Sequence, residues 1–444
     1  MVRIGTGANA GSRVRKTFDI PFSEGWFVSP LALFLGTSFL FLWLFPAVIL
    51  GVERDVPYDL LLGFYFAVQL AGLLLGQRTA FPLPRGRETA VAANGSLFRA
   101  CWLFWGISAI YKLAMFLLGG IAKYQHEESE ALFHIPYVLM VLDSVAFRAA
   151  PFMPWVGGRG KVTLPVLLAV LIDLGFGLST LTKEYSIYVI VSAVFGLSYW
   201  GKAPSARLTA LGAVSVIGVF LLGQALIWTR METIKFTAPR EIASGIVENV
   251  DKTLLDEIQR DATLLAAKER FDLYSSGLLA VRQREFREVA VKARDALPFF
   301  WVPRSQEKEI TFRSGNYLGS SVGLVPEGDM SGIAFPNPIV LDAMFGPVGA
   351  VIILGGVSYL FGAAYRRVIG GRCLELWIGY LILYLGIMVQ MYIGLPAPAL
   401  PYKIVYESAS WVACIALLRG CKRFTVSAWP GEAGAEQEYR LFRV

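Results

Sequence analysis

The chain has 444 residues, of which 55% are hydrophobic and only 17% charged, with a formal net charge of +7. A soluble protein carries nearer 25% charged residues, so the composition excludes a water-soluble globular enzyme and points to a polytopic membrane protein. The basic residues sit in short loops, which argues against nucleic acid as a partner; two histidines and four scattered cysteines without a CxxC pattern imply neither a metal centre nor disulfides.

Met1 to Glu24 is polar and basic and runs into a full-length apolar segment with no small-residue cleavage site. Residues 1–28 therefore read as a cytoplasmic tail ahead of an uncleaved first span. A helix needs about 20 mostly apolar residues to cross a bilayer. Candidate spans one to seven, within 29–228, are Ser29 to Leu50, Tyr58 to Gly76, Leu97 to Ile121, Leu132 to Phe147, Val162 to Ser179, Tyr185 to Trp200 and Leu208 to Trp228. The fourth is short, as a tilted or partly buried helix would be. Pro338 to Gly362, Cys373 to Tyr392 and Ile404 to Leu418 supply three more within 336–418, and 419–444 reads as a second cytoplasmic tail. The expected fold class is all-α polytopic, about ten transmembrane helices with one large helical loop, 229–335, between spans seven and eight.

Loop charges set the orientation. With the N-terminus inside, the cytoplasmic loops collect Arg78, Arg85, Arg87, Arg148, Arg159, Lys202, Arg366, Arg367 and Arg419 among others, while the far side outside the insert receives only Arg54, Lys123, Lys183 and Lys403. Both termini are then cytoplasmic and the insert faces outward. Within it, Ile242, Ile246, Val250, Leu254, Ile258, Ala262 and Leu265 recur every three or four residues, an amphipathic helix. A second helical stretch runs from about Ser276 to Asp295. Pro298 and Pro303 break it around an aromatic cluster, and Ser314 to Pro338, dense in Gly, Pro and Ser, reads as loop.

Basic and acidic residues in the insert are nearly balanced, so most are solvated or paired with each other. A few stand out by position. Arg230 follows the seventh span; Lys183 and Glu184 lie between spans five and six on the same face; Arg270 and Asp272 follow the amphipathic helix; Arg304 and Arg313 flank the post-proline loop. Asp342 lies about one turn into the eighth span, where an unpaired carboxylate is costly. Cations and carboxylates gathered on one membrane face suit an anionic ligand and a proton acceptor. Arg binds phosphate through a planar fork, several cations can neutralise a departing lipid-linked pyrophosphate without a metal, and a carboxylate can deprotonate an attacking hydroxyl. The plainer alternative is that these charges only anchor helix ends. Inside the spans, Asp173 either joins this site or pairs with Lys183. Asp143, toward the inner side, caps or pairs, with a proton relay as the alternative, and Lys112 reaches the interface or a carboxylate. Trp301, Phe299, Phe300 and Tyr317 can stack on sugars or dip into the headgroup region.

The layout, with a large outward loop before the last three spans, resembles the Wzy-type O-antigen polymerases. The resemblance covers roughly Tyr185 to Tyr365. It rests on Phe300-Trp301-Val302-Pro303-Arg304, the Gly/Ser-rich loop, Asn337 to Gly349 with its acidic residue and Phe-Gly-x-x-Gly turn, and Glu269-Arg270-Phe271-Asp272. It implies a bacterial inner-membrane glycosyltransferase that joins undecaprenyl-pyrophosphate-linked oligosaccharide repeats into O-antigen, capsular or exopolysaccharide, with no cofactor or metal. On this reading Arg270, Arg304, Arg230, Arg313 and Lys183 contact the pyrophosphate or glycan, and Asp272 or Asp342 is the base. A flippase and a chain-length regulator are the expected partners, besides the lipid-linked substrate and the membrane. The rivals are an O-antigen ligase, disfavoured because the insert has no histidine, and a lipid-linked saccharide transporter, disfavoured because no internal repeat is visible.

Overall fold

The computed structural model describes residues 25–49, 51–80, 95–117, 141–179, 183–202, 272–299, 314–324, 334–369, 373–393 and 397–428, with single positions 212, 214, 218, 244 and 248 between them. Among these residues the structure is helical, with no strand. Five helices are long and apolar enough to cross a membrane: Pro30–Val48, Val56–Thr79, Gly95–Leu117, Asn337–Ile369 and Ala397–Val426. Leu164–Ser179, Glu184–Tyr199 and Leu374–Met388 are shorter apolar helices. The seventh expected span and the amphipathic helix at 242–265 lie outside the described residues apart from those single positions.

Local chemistry sets several of the starts. Helix α1 (Pro30–Ser38) begins with Pro after Ser29, whose hydroxyl accepts the Leu31 N–H at 3.2 Å. Helix α2 (Val56–Thr79) repeats the device with Asp55, which accepts the Tyr58 N–H at 3.0 Å, and Pro57 in the first turn. A short polar acceptor satisfies an orphan N–H, and proline loses nothing where no N–H partner exists. Between them, Phe39–Ile49 is wound as a π-helix around the internal Pro46.

Further along are α3 (Gly95–Leu117), a helical path from 141 through Ser144–Ala149 to α4 (Met153–Gly157), α5 (Leu164–Ser179) and α6 (Lys183–Tyr199). The insert contributes α7 (Leu273–Arg282), α8 (Arg284–Ala296) and α9 (Ser314–Ser321). Then come α10 (Asn337–Ile369), α11 (Leu374–Leu383), α12 (Val389–Ile393) and α13 (Leu400–Ala428). The expected single insert helix is thus two helices meeting at Gln283. Ser314–Ser321 is helical where loop is expected from its glycines and serines. Leu318 and Val322 explain the difference, because both are buried in one cluster with Phe286 and Ala290 of α8; tertiary burial overrides a weak propensity.

The tightest pairing is α2 against α10, running parallel. Small residues make it possible: a Cβ on Gly72 would stand 2.5 Å from the Gly355 carbonyl, one on Gly76 2.1 Å from the Tyr359 carbonyl, and one on Gly362 2.3 Å from the Leu73 carbonyl. Lipid gives no hydrophobic force between helices, so backbone proximity through small residues is the main source of packing attraction. Leu60, Leu75, Val348 and Ile352 are exposed on the same two helices, as suits side chains in contact with acyl chains. Gly76→Val is expected to force the pair apart and lower the unfolding temperature in detergent by several degrees, whereas Gly63→Ala, at an open position, leaves it unchanged.

The parallel register puts the start of α2 and the start of α10 at one end of the bundle, the end that carries the insert. Tyr365 Oη donates to the Gly25 carbonyl at 3.1 Å, and Thr425 Oγ1 to the Ser96 carbonyl at 3.4 Å. The beginnings of α1 and α3 therefore sit with the ends of α10 and α13 at the opposite face. Helix α10 itself is broken at Gly346 (φ 72°, ψ 173°), followed by Pro347. Only glycine adopts that backbone without strain, and proline removes the next amide donor.

Candidate functional site

Helices α7 and α8 of the insert are docked on the ends of α2 and α10. In α8, Phe286, Ala290, Ala293 and Ala296 are buried on one face, and Phe286 meets Phe335 with ring centroids 5.0 Å apart. From α7, Tyr274 packs edge-on against Tyr58 at 5.0 Å and its hydroxyl accepts the Asp55 N–H at 2.8 Å. Arg54 is held between the Trp43 and Tyr274 rings, at 4.4 and 4.1 Å. Its guanidinium forks onto Asp59 at 2.7 and 3.2 Å and donates to the Leu42 carbonyl at 2.9 Å. Through these contacts Arg54 ties the π-helical segment to the insert.

Three cations of these two helices have carboxylate partners. Arg282 reaches Asp55 at 2.5 Å, Arg284 pairs with Glu288 at 2.9 Å one turn on, and Arg294 pairs with Asp295 at 2.8 Å. Arg294 also donates to the Met344 carbonyl at 3.2 Å, which the Gly346–Pro347 break leaves with a poorer helical partner. Burial raises the Tyr274 phenol above its ordinary pKa. The Asp55 carboxyl is held below the usual carboxylate range, first by the Tyr58 backbone N–H and then by Arg282. A carboxyl lowered on folding stabilises the fold above its unfolded value of about 3.9 and loses that contribution as pH falls through the folded value. Hydrogen-exchange protection in 273–299 is therefore expected to drop as pH falls below about 4. In Asp55→Asn, which keeps the helix cap but not the ion pair, that drop flattens.

Of the residues assigned to the substrate site, Asp272 and Asp342 are described with their side chains. Asp272 caps α7, its Oδ1 accepting the Ser275 N–H at 2.8 Å. Asp342 is half-buried in the short segment of α10 before the break, with the buried Tyr65 hydroxyl beside it. Lys183 opens α6 at the insert-bearing end, but its side chain lies outside the described residues, as do Arg230, Arg270, Arg304 and Arg313. Trp301 and Phe300 also fall outside them. Asp173 pairs with Lys112 and takes a second hydrogen bond from Trp105 Nε1 at 3.1 Å. Lys112 sits within the same bundle as Asp173, both almost fully buried, so neither charge tolerates the other's absence. Asp143 accepts the Tyr111 hydroxyl at 2.8 Å.

A second polar cluster lies inside the bundle, toward the insert-bearing end. Arg148 is expected from the sequence in a cytoplasmic loop, with Asp143 on the inner side. The structure instead continues the helical path through both of them to Gly157. Arg148 is 5% exposed, and its Nη1 donates to Glu407 of α13, itself 3% exposed. Ser144 Oγ donates to the other Glu407 oxygen at 3.4 Å, and Arg148 Nη2 lies 3.8 Å from Glu184. Tyr188 donates to Glu184, and the Tyr188 and Tyr406 rings flank the guanidinium at 5.2 and 5.8 Å. Paired this way, a charge is tolerated where a lone one is not.

Two π-helical turns face this pair, Ser144–Ala149 carrying Arg148 and Tyr384–Met388 carrying Gly386. A Cβ on Gly386 would stand 2.3 Å from Glu407 Oε1, so glycine there makes room for the carboxylate. Such turns are frequent at functional sites. The available sequence signal was Glu407, a carboxylate in the first turn of the last apolar segment. The partner, far away in sequence, was not legible. Among the described residues no three His, Cys, Asp or Glu side chains converge to hold a metal ion. No protein-family model, curated protein or solved structure matches this chain.

Proposed function

We propose that this membrane protein is a polymerase of lipid-linked saccharides. It joins oligosaccharide repeats carried on a polyprenyl pyrophosphate, at the outer face of a bacterial inner membrane, with about ten spans and both termini cytoplasmic. The observation that supports this reading best is the placement of Asp342. A half-buried carboxylate stands just before a helix break, under insert helix α8, at the membrane end where insert and spans meet. A base in that position can take the proton of an attacking sugar hydroxyl while cations neutralise the departing pyrophosphate. Arg282, Arg284 and Arg294 are paired locally, and on this reading Arg230, Arg270, Arg304, Arg313 and Lys183 bind the pyrophosphate. Asp272 is the weaker base, since one of its oxygens is committed to the cap.

The test is reconstitution. Purified protein in liposomes, supplied with a lipid-linked repeat unit, should give a ladder of longer glycans, and Arg270→Ala or Arg304→Ala should remove the ladder at unchanged protein level. Transfer of finished polymer without growth would make the protein a ligase. Movement of the lipid-linked unit across the bilayer without a new glycosidic bond would make it a transporter.

A further inference from the structure

The geometry points to a proton-binding site inside the bundle, at Glu407, which takes a proton from the insert-bearing side and passes Arg148 from Glu407 to Glu184. It stands independently of the polymerase reading, because it uses none of the same residues.

Three observations carry it. One guanidinium is shared by two carboxylates on different helices: Glu407 of α13, bonded to it, and Glu184 of α6, 3.8 Å away. The two differ in access, since the Glu407 side chain is 3% exposed and that of Glu184 is 29% exposed. Both helical turns around the pair are π-wound, a winding frequent at functional sites. The step balances simply. A hydronium ion gives its proton to the Glu407 carboxylate, water leaves, and Arg148 keeps its charge and closes onto Glu184. Glu407 as a neutral acid retains Ser144 as a hydrogen-bond partner. Arg148 Nε, buried and without a partner among the described residues, keeps donor capacity for either arrangement.

The ligand is a proton and not a metal ion because the carboxylates do not converge: Glu407 is held by Arg148 and Ser144, Glu184 by Tyr188, Asp143 by Tyr111 and Asp173 by Lys112. The titratable and charged groups facing the pair are Glu184, Tyr185 and Tyr188 from α6 and Tyr406 from α13, with Cys414 two turns further along that helix. Asp143 precedes Arg148 on its own segment, Tyr111 faces Asp143 from α3, and Lys112 lies over Phe147 at 5.1 Å. From the Tyr384–Met388 turn, Gly386 lies against Glu407.

The experiment is infrared difference spectroscopy of the full chain in nanodiscs, following the carbonyl stretch of a protonated carboxylic acid as pH is lowered. Wild type should show a band that Glu407→Gln lacks. In Glu184→Gln, Arg148 has no second partner and holds Glu407 ionised, so the midpoint should move to lower pH, by about one unit or a tenfold proton concentration. Arg148→Gln should move it the opposite way. A band that survives in Glu407→Gln, or a midpoint unmoved in Glu184→Gln, overturns the assignment. Should Glu407→Gln not fold, the neutral pair Arg148→Gln with Glu407→Gln replaces it and must also lack the band.

Discussion

Glu407→Ala is expected to destabilise the protein by about 3–5 kcal/mol, the range found when one member of a buried ion pair is removed. The physical reason is the orphaned guanidinium. Arg148 is 5% exposed and lies between helices, and its remaining carboxylate, Glu184, is 3.8 Å away. Bringing Arg148 to Glu184 has to be met by a shift of the π-wound Ser144–Ala149 turn, while the truncated side chain leaves a void against Gly386. Replacing both members at once, Arg148→Met with Glu407→Leu, removes the desolvation cost along with the attraction and should recover most of the loss. Equilibrium unfolding in mixed micelles measures both. A double variant no more stable than Glu407→Ala would mean that the pair acts through something other than charge compensation.

Asp342→Asn is expected to lower glycan chain growth by about 10²–10⁴-fold, the contribution typical of a general base, with little change in stability. Asn keeps the size of the side chain at a half-buried site. Asp272→Asn is the matched control, because Asn caps a helix about as well as Asp and α7 should stay docked. Initial rates of ladder formation at saturating lipid-linked repeat separate the two. If Asp272→Asn loses turnover and Asp342→Asn keeps it, the base is the capping residue and the role of the α10 break is structural.

The two expectations concern charges that the sequence treats very differently. Asp342 is conspicuous as a carboxylate just inside an apolar run, and Gly346–Pro347 announces the break four residues later. Both features are local, so they could be read directly. Arg148 looks like a loop cation because it follows an apolar segment that is short, and Glu407 looks like a helix-end carboxylate. Separated by most of the chain, each seems a boundary residue, and only together do they become an internal pair. Asp173 gives the same lesson in milder form, since Lys112 on α3, distant in sequence, is a partner of its carboxylate. The insert shows the reverse case: Ser314–Ser321 has loop composition and is helical because Leu318 and Val322 find α8.

By itself the sequence determined the solvent, the all-helical class, and the starts of α1 and α2. Those follow from apolar run length and from Ser-Pro and Asp-x-Pro starts, which act within a few residues. Only the tertiary structure decided which charges are neutralised inside the bundle, which glycines serve as helix contacts, and where the insert docks. The reason is that a charge or a glycine in lipid takes its meaning from the neighbour across the helix interface, and that neighbour is set by packing, not by sequence distance.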